Sequence, residues 1–153
     1  MRAPNHPYVV RPATSKDVSR LCEFAGDFLA KMHAGVSGKD AQQVFERAVQ
    51  NSDTCIVLVA EHKAGICAYA YAGYQWRSEF GGQTMDLIEL FVEEAWRKKG
   101  VAGSLIGGLI ENAQQRGIHR ISAEVHPGNA AIERMLDSVG FDPEHRTVWG
   151  LTV

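Results

Sequence analysis

One stretch of the sequence constrains the fold more than any other. An apolar run at residues 86–92 is followed by a basic, glycine-containing turn, a long amphipathic segment and a second apolar run. Residues 100–116 carry apolar side chains at the spacing of one helix face, and Gly117 follows where a left-handed cap is expected. Residues 118–125 have the composition of a strand. This order predicts a β-α-β unit whose first strand is central and covered on both faces.

The rest of the chain predicts further strands and helices around this unit. A short strand ends at Pro12, and helical spacing follows over residues 18–32 and 39–50. Residues 55–60 and 66–76 read as a hairpin, 129–139 as a short helix and 147–153 as a closing strand. With no linker or repeat in the sequence, we expect a single domain over residues 1–153.

Composition excludes several classes of protein. A net charge of −2 argues against a protein that works by neutralising nucleic-acid phosphates. No apolar run approaches the ~18 residues of a membrane span. The cysteines Cys22, Cys55 and Cys67 lack metal or redox spacing, so we expect free thiols, a cytoplasmic location and no metal site.

The turn between the two halves of the β-α-β unit has the properties of a phosphate site. The start of a helix presents unpaired N–H groups and the positive end of the helix dipole, and small residues let an anion approach the backbone. The spacing matches neither the P-loop nor the dinucleotide fingerprint. The residues expected to bind a phosphate or pyrophosphate are Arg97, Lys98, Lys99, Gly100, Val101, Ala102, Gly103 and Ser104.

Three motifs in register resemble the GCN5-related N-acetyltransferase (GNAT) superfamily. Leu90-Phe91-Val92 followed by Arg97 to Ala102 is similar to its strand and [QR]-x-x-G-x-[GA] turn. Residues 129–141 resemble a second motif that closes with Gly-Phe, and residues 10–17 resemble the common first strand and helix start. The resemblance spans nearly the whole chain.

The resemblance implies an α/β (α+β) domain with a mixed, twisted sheet of about six or seven strands flanked by about four helices, in the order β-α-α-β-β-β-α-β-α-β. It also implies acetyl-CoA as cofactor. The pantetheine would lie in a gap between residues 90–92 and 123–126, with the N–H of Phe91 or Val92 polarising the thioester carbonyl. Leu90 would line the same gap. Asn129 would either contact the cofactor or act as a helix N-cap.

The implied reaction is acetyl transfer to a primary amine by direct attack in a ternary complex. An alkylammonium has a pKa near about 10, so a base must remove a proton before the nitrogen attacks. Glu124 matches the base position of ribosomal-protein alanine acetyltransferases, Glu89 is the other candidate and Asp86 a distant third. Leu136 stands where many members have a tyrosine acid, which leaves a non-catalytic acyl-CoA sensor as an alternative.

The family places its acceptor site on the first two helices and the strand before the phosphate strand. In this chain that implies an aromatic set suited to a small cationic amine, formed by Phe28, His33, Tyr71, Tyr74 and Trp76. A protein or peptide N-terminus is the alternative acceptor. Homodimerisation is common in the family and is an expectation here as well.

Overall fold

The computed structural model describes residues 7–31 and 38–153, and within them it contains one five-stranded sheet and four α-helices. The strands are β1 (Tyr8–Pro12), β2 (Cys55–His62), β3 (Gly65–Arg77), β4 (Gly82–Val92) and β5 (Ile121–Ala123). The helices are α1 (Val18–Lys31), α2 (Gly38–Gln50), α3 (Val101–Gln115) and α4 (Ala130–Ser138). None of the described helices is long and apolar enough to cross a membrane.

The sheet is mixed, as the sequence predicts. Its strands lie in the order β1-β2-β3-β4-β5, the first four antiparallel and β5 parallel to β4. Helix α3 is the crossover between β4 and β5, so the predicted β-α-β unit is confirmed.

Each face of the sheet has its own core. On one face α3 buries Leu105, Ile106 and Leu109 against the alanines of β3. On the other face α1 and α2 bury Phe24 and Phe45 around the ring of Tyr69, which is fully buried. The alternation of β3 separates the two sets, because successive side chains of a strand point to opposite faces.

Helix α3 lies unusually close to the sheet at Gly108. A Cβ atom at this position would lie 2.8 Å from Leu58 Cδ1 and 3.2 Å from Val10 Cγ1. Gly103 and Gly107 have no such neighbour within 4 Å. The packing of α3 on β1 and β2 therefore explains one of the three helical glycines.

Several strand predictions differ from the structure. Residues 147–153 form no strand, and the five strands of the described residues fall short of the six or seven expected. The segment is rich in residues that favour strands, but its backbone forms no ladder with any strand of the described residues. Strand β5 covers only residues 121–123 of the predicted 118–125 because its ladder with β4 ends at Ala123.

Candidate active site

The turn before α3 has two residues in the left-handed region of backbone conformation. Lys98 has φ = 58° and Gly100, the N-cap of α3, has φ = 80°. A lysine in this region is strained, by about 1–3 kcal/mol, and such strain clusters at functional sites. The turn directs the N–H groups at the start of α3 towards one point outside the helix.

The hydrogen bonds of the helix show where the run of unpaired N–H groups at its start ends. The Ser104 N–H donates to the Gly100 carbonyl at 3.0 Å, and Ser104 Oγ donates to the same oxygen at 3.2 Å. Ser104 Oγ also lies 2.9 Å from the Tyr8 hydroxyl. Ser104 thus closes the first turn of α3, and the N–H groups available to a ligand are those of Val101, Ala102 and Gly103.

The three basic side chains of the turn differ in their contacts. Arg97 Nε donates to the Val92 carbonyl at 2.9 Å, and Lys99 Nζ donates to the Ala95 carbonyl at 2.7 Å and lies over the Trp96 ring. Both fold back onto the turn and shape it. Lys98 is exposed and makes no such contact within the part of the chain that the structure describes.

Strands β4 and β5 separate where the resemblance implies a gap. Their ladder runs from Met85↔Ile121 to Leu87↔Ala123 and no further. Beyond it, Leu90 to Val92 form no ladder with residues 124–126. An irregularity in the β3–β4 ladder lies at the same level, because Tyr71 pairs with Glu89 and Ala72 pairs with Leu87, which leaves Ile88 as an extra residue.

The direction of the backbone in β4 distinguishes the two candidate oxyanion donors. The Glu93 N–H donates to the Cys67 carbonyl of β3, and N–H groups alternate sides along a strand. Phe91, paired with Tyr69, therefore also points towards β3. The N–H groups of Leu90 and Val92 point into the gap, so Val92 is the donor that can reach a ligand there.

The bulge at Ile88 also determines the direction of Glu89. Leu87 and Leu90 both pack towards α3 although they are three residues apart. Without the extra residue, Glu89 would face α3. With it, Glu89 faces the α1 and α2 side, where Tyr69 Oη donates a 2.7 Å hydrogen bond to Glu89 Oε2. Burial raises the pKa of Glu89, and the Tyr69 hydrogen bond partly opposes that rise.

The other two carboxylates have different surroundings. Glu124 is exposed and lies just beyond β5. Asp86 is half-buried and accepts a long ion-pair contact from Arg77, at 3.3 Å, while its Oδ1 is buried without a hydrogen-bond partner among the described residues. Of the three, only Glu89 is a largely buried carboxylate held by a tyrosine hydroxyl.

Two further positions of the second motif have structural roles. Asn129 is the N-cap of α4, and its side chain accepts a 3.4 Å hydrogen bond from the Ile132 N–H. The side-chain oxygen of Asn129 is therefore occupied, and its side-chain NH₂ group is the part that can donate a hydrogen bond to a ligand. Leu136 is buried at the end of α4, so no acidic group stands at the position of the family tyrosine.

The structure divides the proposed acceptor residues between the two faces. Phe28 and Tyr71 pack with the α1 and α2 core. Tyr74 lies on the opposite face, where its hydroxyl donates to Asn112 of α3 at 2.7 Å and Arg116 lies over its ring. Trp76 is 80% exposed, and His33 lies outside the described residues. Tyr74 therefore does not share a site with Glu89.

A cavity of about 560 Å³ lies between α1 and the end of β4. Its acidic members were not predicted from the sequence, although Glu93 and Glu94 directly follow the motif strand. Arg20 of α1 reaches Glu93 at 2.8 Å across one side of it. The lining residues are Asp27, Ala30, Phe91, Glu93, Glu94 and Arg97. Among the described residues, no cluster of three or more His, Cys, Asp or Glu side chains could hold a metal ion.

Comparison with known proteins gives relatives of one kind. The chain is 34% identical over 85 residues to the L-methionine sulfoximine/L-methionine sulfone acetyltransferase of Salmonella typhimurium strain LT2, covering 56% of this chain and 49% of that protein. It is 38% identical over 56 residues to the ribosomal protein bS18 alanine N-acetyltransferase of Haemophilus ducreyi, covering 37% and 39%. The matched region thus spans half or less of the length of these relatives.

Solved structures share the fold. Aminoglycoside N-acetyltransferase AAC(6')-Iy, in complex with CoA, superposes with a TM-score of 0.83 over 99% of this chain and 98% of that chain, at 15% identity. The profile of the Acetyltransferase (GNAT) family matches residues 23–141. That match covers most of the sheet, the turn before α3 and α4, and on it the chain belongs to the GNAT acetyltransferase family.

Proposed function

We propose that the protein transfers an acetyl group from acetyl-CoA to the primary amine of a small molecule, by direct attack in a ternary complex. One observation carries the proposal. The strained turn at the start of α3 opens beside the unpaired edge of β4, and Glu89 is turned by the bulge to the other side of the same strand.

The residues of the turn fit the cofactor. Val101, Ala102 and Gly103 supply N–H groups for the pyrophosphate, and Lys98 supplies positive charge. When bound, acetyl-CoA supplies the activated acyl group. The N–H of Val92 hydrogen-bonds the carbonyl oxygen as negative charge develops on it. The amide of Asn129 is a further contact.

Glu89 is the base in this proposal. A carboxylate with a raised pKa is better matched to accept a proton from an ammonium near neutral pH than an exposed one. The proton of the acceptor ammonium passes to Glu89 directly or through water, and the free nitrogen then attacks the carbonyl carbon. As the carbon–nitrogen bond forms and the carbon–sulfur bond breaks, the nitrogen would release its second proton to water, and water would protonate the departing sulfur, since Leu136 offers no proton. Glu124 stays the alternative base.

The acceptor in this proposal lies on the α1 and α2 side, near Phe28 and Tyr71. The cavity with Asp27, Glu93 and Glu94 adds acidic groups suited to a cationic amine. The named substrates of the Salmonella relative are small amino-acid derivatives. The match to an alanine N-acetyltransferase favours a protein N-terminus as the second candidate acceptor. A cytoplasmic homodimer completes the proposal, and the three free cysteines support a reducing compartment.

Cofactor binding is tested by thermal stabilisation with CoA. A ligand at 100 times its Kd stabilises the fold by ~2.7 kcal/mol. Gly103→Ala adds a methyl group that meets no protein atom within 4 Å, at one of the three residues whose N–H groups are proposed to bind the pyrophosphate. We expect this variant to fold normally and to lose most of the CoA-dependent shift, whereas Gly107→Ala, one turn further along α3, keeps it. No shift in the unchanged protein would overturn the cofactor assignment.

Turnover is tested by thiol release with acetyl-CoA and a panel of acceptors. The panel contains methionine sulfoximine, methionine sulfone, an aminoglycoside and a peptide with an N-terminal alanine. Glu89→Gln is expected to lower kcat by ~10²–10⁴-fold, the usual contribution of general base catalysis. Glu124→Gln is the matched control. CoA binding without thiol release for any acceptor would favour the sensor, and a loss only in Glu124→Gln would reverse the assignment of the base.

A further inference from the structure

The strained turn before α3 needs contacts from outside itself to persist. A residue such as Lys98 stays in the left-handed region only where the surrounding structure over-determines its backbone. The hydrogen bonds of Arg97 and Lys99 end on carbonyl groups no more than five residues away, so both are local to the turn. Tyr8 of β1 supplies a contact from a distant part of the chain.

The Tyr8 hydroxyl begins a chain of hydrogen bonds that ends on the backbone of Gly100. Ser104 Oγ donates its single hydrogen to the Gly100 carbonyl at 3.2 Å. The Tyr8 hydroxyl lies 2.9 Å from Ser104 Oγ. Because that oxygen has no second hydrogen to give, the Tyr8 hydroxyl is the donor. Gly100 is the N-cap of α3, so the chain acts on the residue that sets the direction of the first helical N–H groups.

The ring of Tyr8 contacts the other end of the turn. It lies edge-on to the ring of Trp96, with the two centroids 6.2 Å apart. His62, which pairs with Tyr8 across β1 and β2, lies against the same indole with the centroids 4.5 Å apart. Trp96 ends the short helix that directly precedes the turn. Tyr8 therefore contacts both ends of the turn, through its ring at Trp96 and through its hydroxyl at Ser104.

Burial fixes Tyr8 in the place where it can do this. Successive side chains of β1 point to opposite faces, and Tyr8 is 7% exposed whereas Val9 is 66% exposed. A buried tyrosine ring has few conformations to lose, so its hydroxyl is already directed at Ser104 before a ligand binds. Tyr8 also lies outside residues 23–141, the part of the chain that the family profile matches.

We propose that Tyr8 is a positioning residue for the cofactor, which holds the turn of residues 97–100 in the shape that presents the N–H groups of residues 101–103 to the pyrophosphate of CoA. This inference rests on the proposed function, because it requires CoA to bind at the start of α3. Tyr8 acts through the turn rather than by contact with the cofactor. Since the pyrophosphate is remote from the reacting carbonyl, Tyr8 changes the affinity for the cofactor and not the chemical step.

Titration calorimetry with CoA tests the proposal on the unchanged protein, Tyr8→Phe, Ser104→Ala and the double variant. Tyr8→Phe removes one oxygen atom and keeps the ring against Trp96. We expect each single variant to raise the Kd of CoA by about 3–10-fold, as the loss of one hydrogen bond does. The double variant should raise it no further than the larger single effect, because both changes break the same chain. Effects that add, or an unchanged Kd in Tyr8→Phe, overturn the proposal.

Tyr74→Phe is the matched control. The Tyr74 hydroxyl also donates to α3, at 2.7 Å, but to Asn112 near the other end of the helix. We expect this variant to lower the free energy of unfolding in urea and to leave the Kd of CoA unchanged. A loss of CoA affinity as large as in Tyr8→Phe would mean that any weakening of the contact between α3 and the sheet has this effect, which overturns the proposal.

Pantetheine separates the shape of the turn from the rest of the cofactor site, because it lacks the pyrophosphate. At millimolar concentration it should shift the Tm of Tyr8→Phe as much as that of the unchanged protein. An equal relative loss with CoA and with pantetheine overturns the proposal. If CoA does not bind the unchanged protein, the proposed function fails as well, whereas full CoA affinity in Tyr8→Phe overturns this inference alone.

Discussion

Glu89 and Tyr69 form the most informative contact at the scale of single residues. Tyr69 is fully buried among Phe24, Phe45 and Phe91, so its hydroxyl is held in place by the packing of three rings. That hydroxyl in turn holds the Glu89 carboxylate. In the proposed mechanism Tyr69 is a positioning residue, because it would act through Glu89.

Tyr69→Phe should therefore change the pH dependence of kcat/KM, which a purely structural substitution would leave unmoved. The lost hydrogen bond stabilises the charged carboxylate, so its removal raises the pKa of Glu89 further. We expect the acid limb of the kcat/KM profile to move to higher pH, with kcat at its plateau reduced by less than in Glu89→Gln. Tyr74→Phe, on the opposite face of β3, is the control because Tyr74 does not share a site with Glu89. An acid limb that does not move would mean that Tyr69 has no influence on the pKa of the catalytic base.

Some of this could be predicted from residue spacing and some could not. Tyr71 and Tyr74 are three apart on one strand, so simple alternation already places them on opposite faces. Glu89 is different. Its side of the sheet depends on the extra residue Ile88, and a bulge arises from the pairing of two strands, which the sequence of one strand does not reveal.

At the scale of elements, α3 shows how a glycine can serve packing. Gly108 allows the helix to approach Leu58 and Val10, while Gly107 beside it faces open space. Both positions have a helical backbone, and they differ in the atoms that an added Cβ would meet. The energetic cost of glycine in a helix is therefore offset at one position by close packing.

The pair gives opposite predictions for the same substitution. Gly108→Ala overpacks the core and should lower the free energy of unfolding by about 1–3 kcal/mol. Gly107→Ala should raise it by up to ~1 kcal/mol through helix propensity. Urea unfolding of both variants measures the difference. Equal effects would mean that α3 can shift away from β1 and β2 without loss.

The helices and the strands up to β4 follow from periodicity because each buries one face in the core, and that face repeats along its own sequence. The ends of β5 and the unpaired state of residues 147–153 do not follow from it. How far a strand extends depends on the backbone partner beside it, so strand-like composition indicates capacity for pairing but not its completion.

At the scale of the whole molecule, one ion-pair network joins the start of the chain to the sheet. Arg11 of β1 contacts Asp17, in the turn before α1, at 2.8 Å and Glu61 of β2 at 2.8 Å. Asp17 also accepts the Thr14 N–H in a capping box. The Arg11 hydrogen bonds lower the pKa of Asp17 and of Glu61.

This network should make the free energy of unfolding depend on pH in the acid range. A carboxylate whose pKa is lowered on folding stabilises the fold above its unfolded pKa, near about 4, and that stabilisation disappears as pH falls through the folded pKa. We expect Asp17→Asn to cost about 1.5–3 kcal/mol at pH 7 and to flatten the fall of Tm below pH 4. Asp142→Asn, at an exposed site, should follow the unchanged protein. A fall in Tm that is the same in all three would place the acid sensitivity elsewhere.

The left-handed backbone conformation of Lys98, in the turn before α3, affects whether a conformational cost arises on folding or on binding. Because Lys98 holds its strained backbone in the folded chain, the conformational cost of shaping the proposed anion site is met during folding rather than on binding. A ligand that meets a finished site loses little affinity to ordering the protein. The strain therefore lowers the stability of the folded protein slightly, and the proposed site is already preorganised before a ligand binds.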